Sequence, residues 1–136
     1  MRCAHETENN GERKFFASFF RNFHPALGNA LPALIPQVYL HYDPVVVSRL
    51  RDRESFPRQR MDFLLLLPHR ARVVIEIDGI HHFSCDNKPS LKVYGATMEA
   101  DRDLRLLGYE VYRFAATELV GPNAQSSVSS FFQRLF

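Results

Sequence analysis

Between positions 62 and 82 the chain carries Asp62, Glu76, Asp78, His81 and His82, the residue types that hold divalent cations or move protons. Asp62 interrupts the apolar run Met61 to Leu67, and Glu76 and Asp78 interrupt a β-branched run that begins at Val73. Both runs read as β-strands, with a tight turn over Pro68-His69-Arg70-Ala71-Arg72 between them. Side chains alternate along a strand, so Glu76 and Asp78 share a face at roughly 6.6 Å spacing, and Val73, Ile75 and Ile77 take the other. A turn centred on Arg70 sets Asp62 opposite Asp78; a register slid by two sets it opposite Glu76. Either register crowds the three carboxylates onto one patch of a hydrophobic hairpin.

Such a patch is costly. Carboxylates in a strand core must be neutralised, and like charges on neighbouring strands destabilise each other. Mg²⁺ removes both costs, because it takes one or two carboxylates and keeps several waters; Mn²⁺ suits the same oxygen ligands. The competing arrangement places Asp62 and Glu76 on an exposed face, paired with Arg58, Arg60 or Arg72. The histidines follow Gly79. If the strand continues through that glycine, His82 stays on the Glu76 and Asp78 face and His81 points away; a bulge at Gly79 reverses the choice.

The elements that must position these groups can be read along the chain. With 136 residues and 46% hydrophobic content, it is expected to form one domain over 1–136 with a packed core. Residues 1–8 read as disordered. No run of about 18 apolar residues is present, so no membrane span is expected, and the polar start lacks the apolar stretch of a secretory signal. Cys3 and Cys85 lack metal-type spacing and read as free thiols of a reducing, cytoplasmic compartment. The net charge is only +2, but Arg49, Arg51, Arg53, Arg58, Arg60, Arg70 and Arg72 crowd the hairpin and its approach. Arginine suits bidentate phosphate contacts; a solvated basic face that serves solubility is the plainer reading.

A first helix is expected from Asn10, capped by Asn9 or Asn10 with Glu12 in its first turn. Phe15, Phe16, Phe19, Phe20 and Phe23 give it a core-facing stripe. Pro25, Pro32 and Pro36 predict irregular chain, and Gln37 to Tyr42 a first strand. After the hairpin, Ser84 to Leu91 reads as a loop holding Lys88, with Lys92 just beyond it. A helix over Val93 to Leu107 follows, in which Asp101 and Arg105 can pair, and Gly108 ends it. Tyr109 to Phe114 is a strand reached by a helical crossover, hence parallel to its neighbour. Ser126 to Phe136 closes with a helix.

Taken in order, Asp62-Phe63, Glu76-Ile77-Asp78-Gly79-Ile80-His81-His82 and the segment from Asp101 to Phe114, which ends Val111-Tyr112-Arg113-Phe114, resemble the PD-(D/E)-x-K nuclease superfamily in its very-short-patch-repair-like branch. The resemblance spans roughly residues 55 to 115. Asp78 stands where the superfamily has a lysine, as in many members of that branch.

The resemblance implies an α/β, restriction-endonuclease-like domain, a mixed sheet of about four strands flanked by helices, that cleaves DNA phosphodiesters with Mg²⁺. It implies Asp62, Glu76 and the Ile77 carbonyl as metal ligands, and Asp78 aligning the water or binding a second ion. His82 falls in the slot of the family histidine as general base or phosphate ligand. His81, Lys88, Lys92 and Arg105 become candidate phosphate contacts, with Lys88 or Lys92 standing in for the missing lysine. Glu12 and Asp101 become candidate supporting acids. The alternative is a nuclease-fold module that binds nucleic acid or a partner protein without cleaving; a larger parent protein or a partner would then supply target recognition.

Overall fold

A computed structural model describes residues 2–40, 60–68, 72–86 and 88–136, with side chains from Asn10 onward. Tyr42, Val45 to Leu50, the charged stretch 51–59 and the turn arginine Arg70 lie outside the described residues, and so do Arg49, Arg51, Arg53 and Arg58. The described elements are helix α1 (Arg2–Leu27), a 3-10 turn (Gly28–Ala30), β1 (Ala33–Tyr39), β2 (Arg60–Leu66), β3 (Val73–Asp78), a second 3-10 turn (Ile80–His82), β4 (Ser84–Cys85), β5 (Lys88–Pro89), α2 (Leu91–Leu106), β6 (Glu110–Ala115), a third 3-10 turn (Ala116–Leu119) and α3 (Ala124–Leu135). The protein is therefore mixed α/β, with a four-stranded mixed sheet in the order β1-β2-β3-β6 and a separate pairing of β4 with β5. No described helix is long and apolar enough to cross a membrane.

The residues divide into two compact units, one of 32–76 with 101–112, the other of 1–31, 77–100 and 113–136. In the first, β1 and β2 pair antiparallel from Ala33↔Leu66 to Tyr39↔Arg60, and β2 pairs antiparallel with β3 at Phe63↔Ile75, Leu64↔Val74 and Leu65↔Val73. The Glu110 N–H donates to the Arg72 carbonyl at 2.9 Å, joining the last strand to β3 after the α2 crossover. Leu40, Met61, Leu64 and Val74 pack with Leu104, Tyr109 and Val111. Helix α2 ends as its sequence requires. Gly108 takes a φ of 96°, where glycine carries no steric penalty, and its N–H returns to the Arg105 carbonyl at 3.0 Å.

The second unit has an aromatic core. Phe15 and Phe19, both fully buried, meet Phe132 with ring centroids 5.6 and 4.7 Å apart, and Phe15 meets Phe114 at 5.2 Å. Phe15 and Phe19 of the expected stripe are thus core, Phe16 and Phe23 are half-buried, and Phe20 is exposed. Gly11 lets α1 come close to the end of β3: a Cβ there would stand 3.3 Å from Ile77 Cγ2 and 3.6 Å from Leu119 Cδ1.

Several element bounds differ from the sequence reading. Helix α1 takes in residues 2–8, which were expected to be disordered, so Asn9 and Asn10 lie inside it instead of capping it. It also continues through Pro25 to Leu27. The first strand lies earlier than Gln37 to Tyr42, because Leu34 to Pro36 find partners on β2. Ser84 to Leu91, expected as plain loop, includes the β4–β5 pairing. Enlarging Gly11 tests the close approach of α1: Gly11→Val should lower stability by about 1–3 kcal/mol through overpacking. Its urea midpoint should fall with the slope unchanged; an unaltered midpoint would show that the contact yields freely.

Candidate functional site

Asp62 and Glu76 are the two carboxylates that fall in the buried class among the described residues, at 6% and 7% exposure. The sequence places both inside strands whose neighbours are apolar on either side, and Met61 to Leu65 and Val73 to Ile77 are buried without interruption. An exposed-face location for the pair is thereby excluded. The β2–β3 ladder runs through Phe63↔Ile75. One step further along the same antiparallel register brings Asp62 across from Glu76, so the register that set Asp62 opposite Asp78 is not the one adopted. Neighbours across an antiparallel pair have Cβ atoms about 4.5–5.5 Å apart.

On the other side of Asp62, β1 pairs with β2 in one register, Pro36 with Phe63 and Val38 with Met61. Gln37 has a φ of 56°, a left-handed conformation uncommon for a residue with a side chain.

In the other unit, Asp78 is held by Arg113. The guanidinium donates from Nε to Oδ2 and from Nη2 to Oδ1, each at 2.7 Å, a fork that engages both carboxylate oxygens. His82 Nδ1 lies 3.3 Å from Asp78 Oδ1. All three side chains are mostly buried, with about a fifth of each exposed. Both oxygens of Asp78, the acid expected to align a water or bind a second ion, thus accept from Arg113.

His82 reaches Asp78 by a route that strand parity did not anticipate. The strand ends at Asp78, and a 3-10 turn over Ile80–His82 follows Gly79, with the His82 N–H donating to the Gly79 carbonyl at 3.1 Å. The His82 carbonyl accepts from Thr97 Oγ1 of α2 at 3.0 Å, and Ser84 Oγ donates to the Ile80 carbonyl at 2.6 Å. The turn is thereby fixed at both ends. His81 is exposed, its ring centroid 4.4 Å from that of His82.

The remaining candidates are spread along the elements. Ile77 is fully buried beside Gly11. Glu12 is half-buried well inside α1, so the helix-start explanation for it does not apply. Lys88 is exposed on β5 and Lys92 is exposed in the first turn of α2. Asp101 is half-buried on α2, and Arg105 reaches the Val111 carbonyl at 3.5 Å. Among the described residues no three His, Cys, Asp or Glu side chains form a metal-holding group. Arg113 is the residue to which the sequence reading gave no role; its signal was an arginine among the apolar and aromatic residues of Val111-Tyr112-Arg113-Phe114.

Two facing buried carboxylates fit a hard divalent cation, which Mg²⁺ chemistry satisfies with one or two carboxylates and water. Comparison with known proteins yields no match: no family model, no curated protein and no solved structure matches the chain.

The Arg113 fork should be a measurable part of the stability. Hydrogen bonds to charged groups are worth about 1.5–3 kcal/mol, so Arg113→Met should lower unfolding stability by about that amount, read as a fall in urea midpoint. Arg113→Lys should recover part of it, because a lysine keeps the charge but not the two-pronged geometry. Equal midpoints for Arg113→Met and the parent would contradict the clamp.

Proposed function

We propose that the protein is a metal-dependent endonuclease of restriction-endonuclease-like type that hydrolyses DNA phosphodiester bonds. The observation that carries this reading is the burial of Asp62 and Glu76 on adjacent rungs of paired strands. Buried carboxylates are costly unless something neutralises them, and a bound cation is one group that does so. The chain order supports the same reading. A hairpin carrying Asp62 and Glu76 is followed by a histidine turn, a crossover helix and a strand ending Arg113-Phe114, the order in the nuclease branch that the sequence resembles.

When bound by Asp62 and Glu76, Mg²⁺ would polarise the scissile phosphate and acidify a water. The chain's own residues supply the rest. Asp62 and Glu76 provide the negative charge that selects a cation over an anion. His82 accepts the proton of the attacking water as general base. Lys88, Lys92 and Arg105 are exposed cations able to meet backbone phosphates.

One observation favours a second reading, a module of the same fold that binds nucleic acid or a protein partner without cleaving. Asp78, in the slot where the superfamily carries lysine, has both oxygens engaged by Arg113.

Incubation with supercoiled plasmid, linear duplex and single-stranded DNA in Mg²⁺, Mn²⁺ or EDTA separates the two. The parent protein should cleave with either metal and not in EDTA. Glu76→Gln should lose cleavage by orders of magnitude while keeping its fold. His82→Ala should lower the rate by about 10²- to 10⁴-fold, the usual contribution of a general base, and His81→Ala should keep most activity. Cleavage that survives in EDTA or in Glu76→Gln would place the chemistry elsewhere, and intact protein that cleaves nothing would favour the binding module.

A further inference from the structure

We infer that Asp78 and Arg113 are positioning residues that fix the tautomer of His82. The inference rests on the reading of His82 as the acting histidine, but it concerns a property of the ring that exists without metal or DNA.

The carboxylate of Asp78 has one oxygen shared between two neighbours. Oδ1 accepts from Arg113 Nη2 at 2.7 Å and lies 3.3 Å from His82 Nδ1, and Oδ2 accepts from Arg113 Nε at 2.7 Å. A carboxylate gripped on both oxygens by a planar guanidinium has little rotational freedom. Its remaining lone pair on Oδ1 can only accept, so the nitrogen beside it must present a proton. The Nδ1 of His82 is that nitrogen. In the neutral ring a proton on Nδ1 leaves the lone pair on Nε2, the nitrogen farther from the carboxylate.

The backbone holds the ring where this arrangement requires it. Gly79 and Thr97 bind the His82 N–H and carbonyl at 3.1 and 3.0 Å, and Thr97 Oγ1 is also 3.2 Å from the Val93 carbonyl within α2. Arg113 acts through Asp78, keeping that carboxylate aimed. The chain thereby presents a basic Nε2 of defined direction, which is what a group accepting a proton from water, or donating one to a leaving oxygen, needs.

Long-range ¹H–¹⁵N spectroscopy of the metal-free full chain, with the His82 ring neutral, reads the tautomer directly. The parent protein should show a protonated Nδ1 and an unprotonated Nε2. Asp78→Ala should move the ring towards the Nε2-protonated form, and Arg113→Lys should move it part of the way. A dispersed amide spectrum would confirm that each variant is folded. A parent ring protonated on Nε2 overturns the inference, whether or not the variants fold, and so does an unchanged tautomer in folded Asp78→Ala. Because no cleavage is measured, loss of this inference is distinguishable from loss of nuclease activity, which the DNA incubations report.

Discussion

Two carboxylates buried across one antiparallel register constrain everything near them. Asp62 and Glu76 lie at 6% and 7% exposure in strands otherwise made of Met, Phe, Leu, Val and Ile. Either side chain alone in such a strand would be an expense, and two facing each other add repulsion to desolvation. Within β1, which pairs with β2 across this position, Gln37 adopts a left-handed φ of 56°. Strain of this kind persists where the surrounding structure over-determines it and clusters at functional positions.

Seven residues, Glu76 to His82, carry both a carboxylate of that pair and the histidine that Asp78 faces. The order of events along them follows from backbone chemistry. Strand β3 ends at Asp78, Gly79 has an extended backbone, and the chain tightens into a 3-10 turn that returns His82 to the carboxylate four residues earlier. Arg113 arrives from a strand 35 residues further on and locks the same carboxylate from its other side. Asp78 is therefore not an idle acid: it is paired with Arg113 and lies 3.3 Å from His82 Nδ1.

Much of this was legible in the amino-acid order because the decisive signals were local. Apolar and β-branched runs marked the β2–β3 hairpin, the i, i+4 phenylalanines marked α1 as a core helix, and Gly108 marked the end of α2. The mixed sheet followed from a crossover helix between β3 and the last strand. The choice between Glu76 and Asp78 as the partner of Asp62 was not legible, since it turns on a two-residue slip within a turn. Arg113 and Asp78 are too distant in sequence for any periodicity to connect them. His82 was favoured on strand parity, but the strand stops at Asp78, and a turn places the ring instead. The start of α1 was misplaced because its polar N-terminal residues carry no apolar stripe, although nothing in them forbids a helix.

The claim on which the account depends is that Asp62 and Glu76 hold a divalent cation. Calorimetric titration of the metal-free protein with Mn²⁺ tests it most directly, since it requires neither DNA nor turnover. The account predicts saturable binding to the parent protein that is abolished in both Asp62→Asn and Glu76→Gln, each still folded. No binding to the parent, or binding that survives both substitutions, would contradict it.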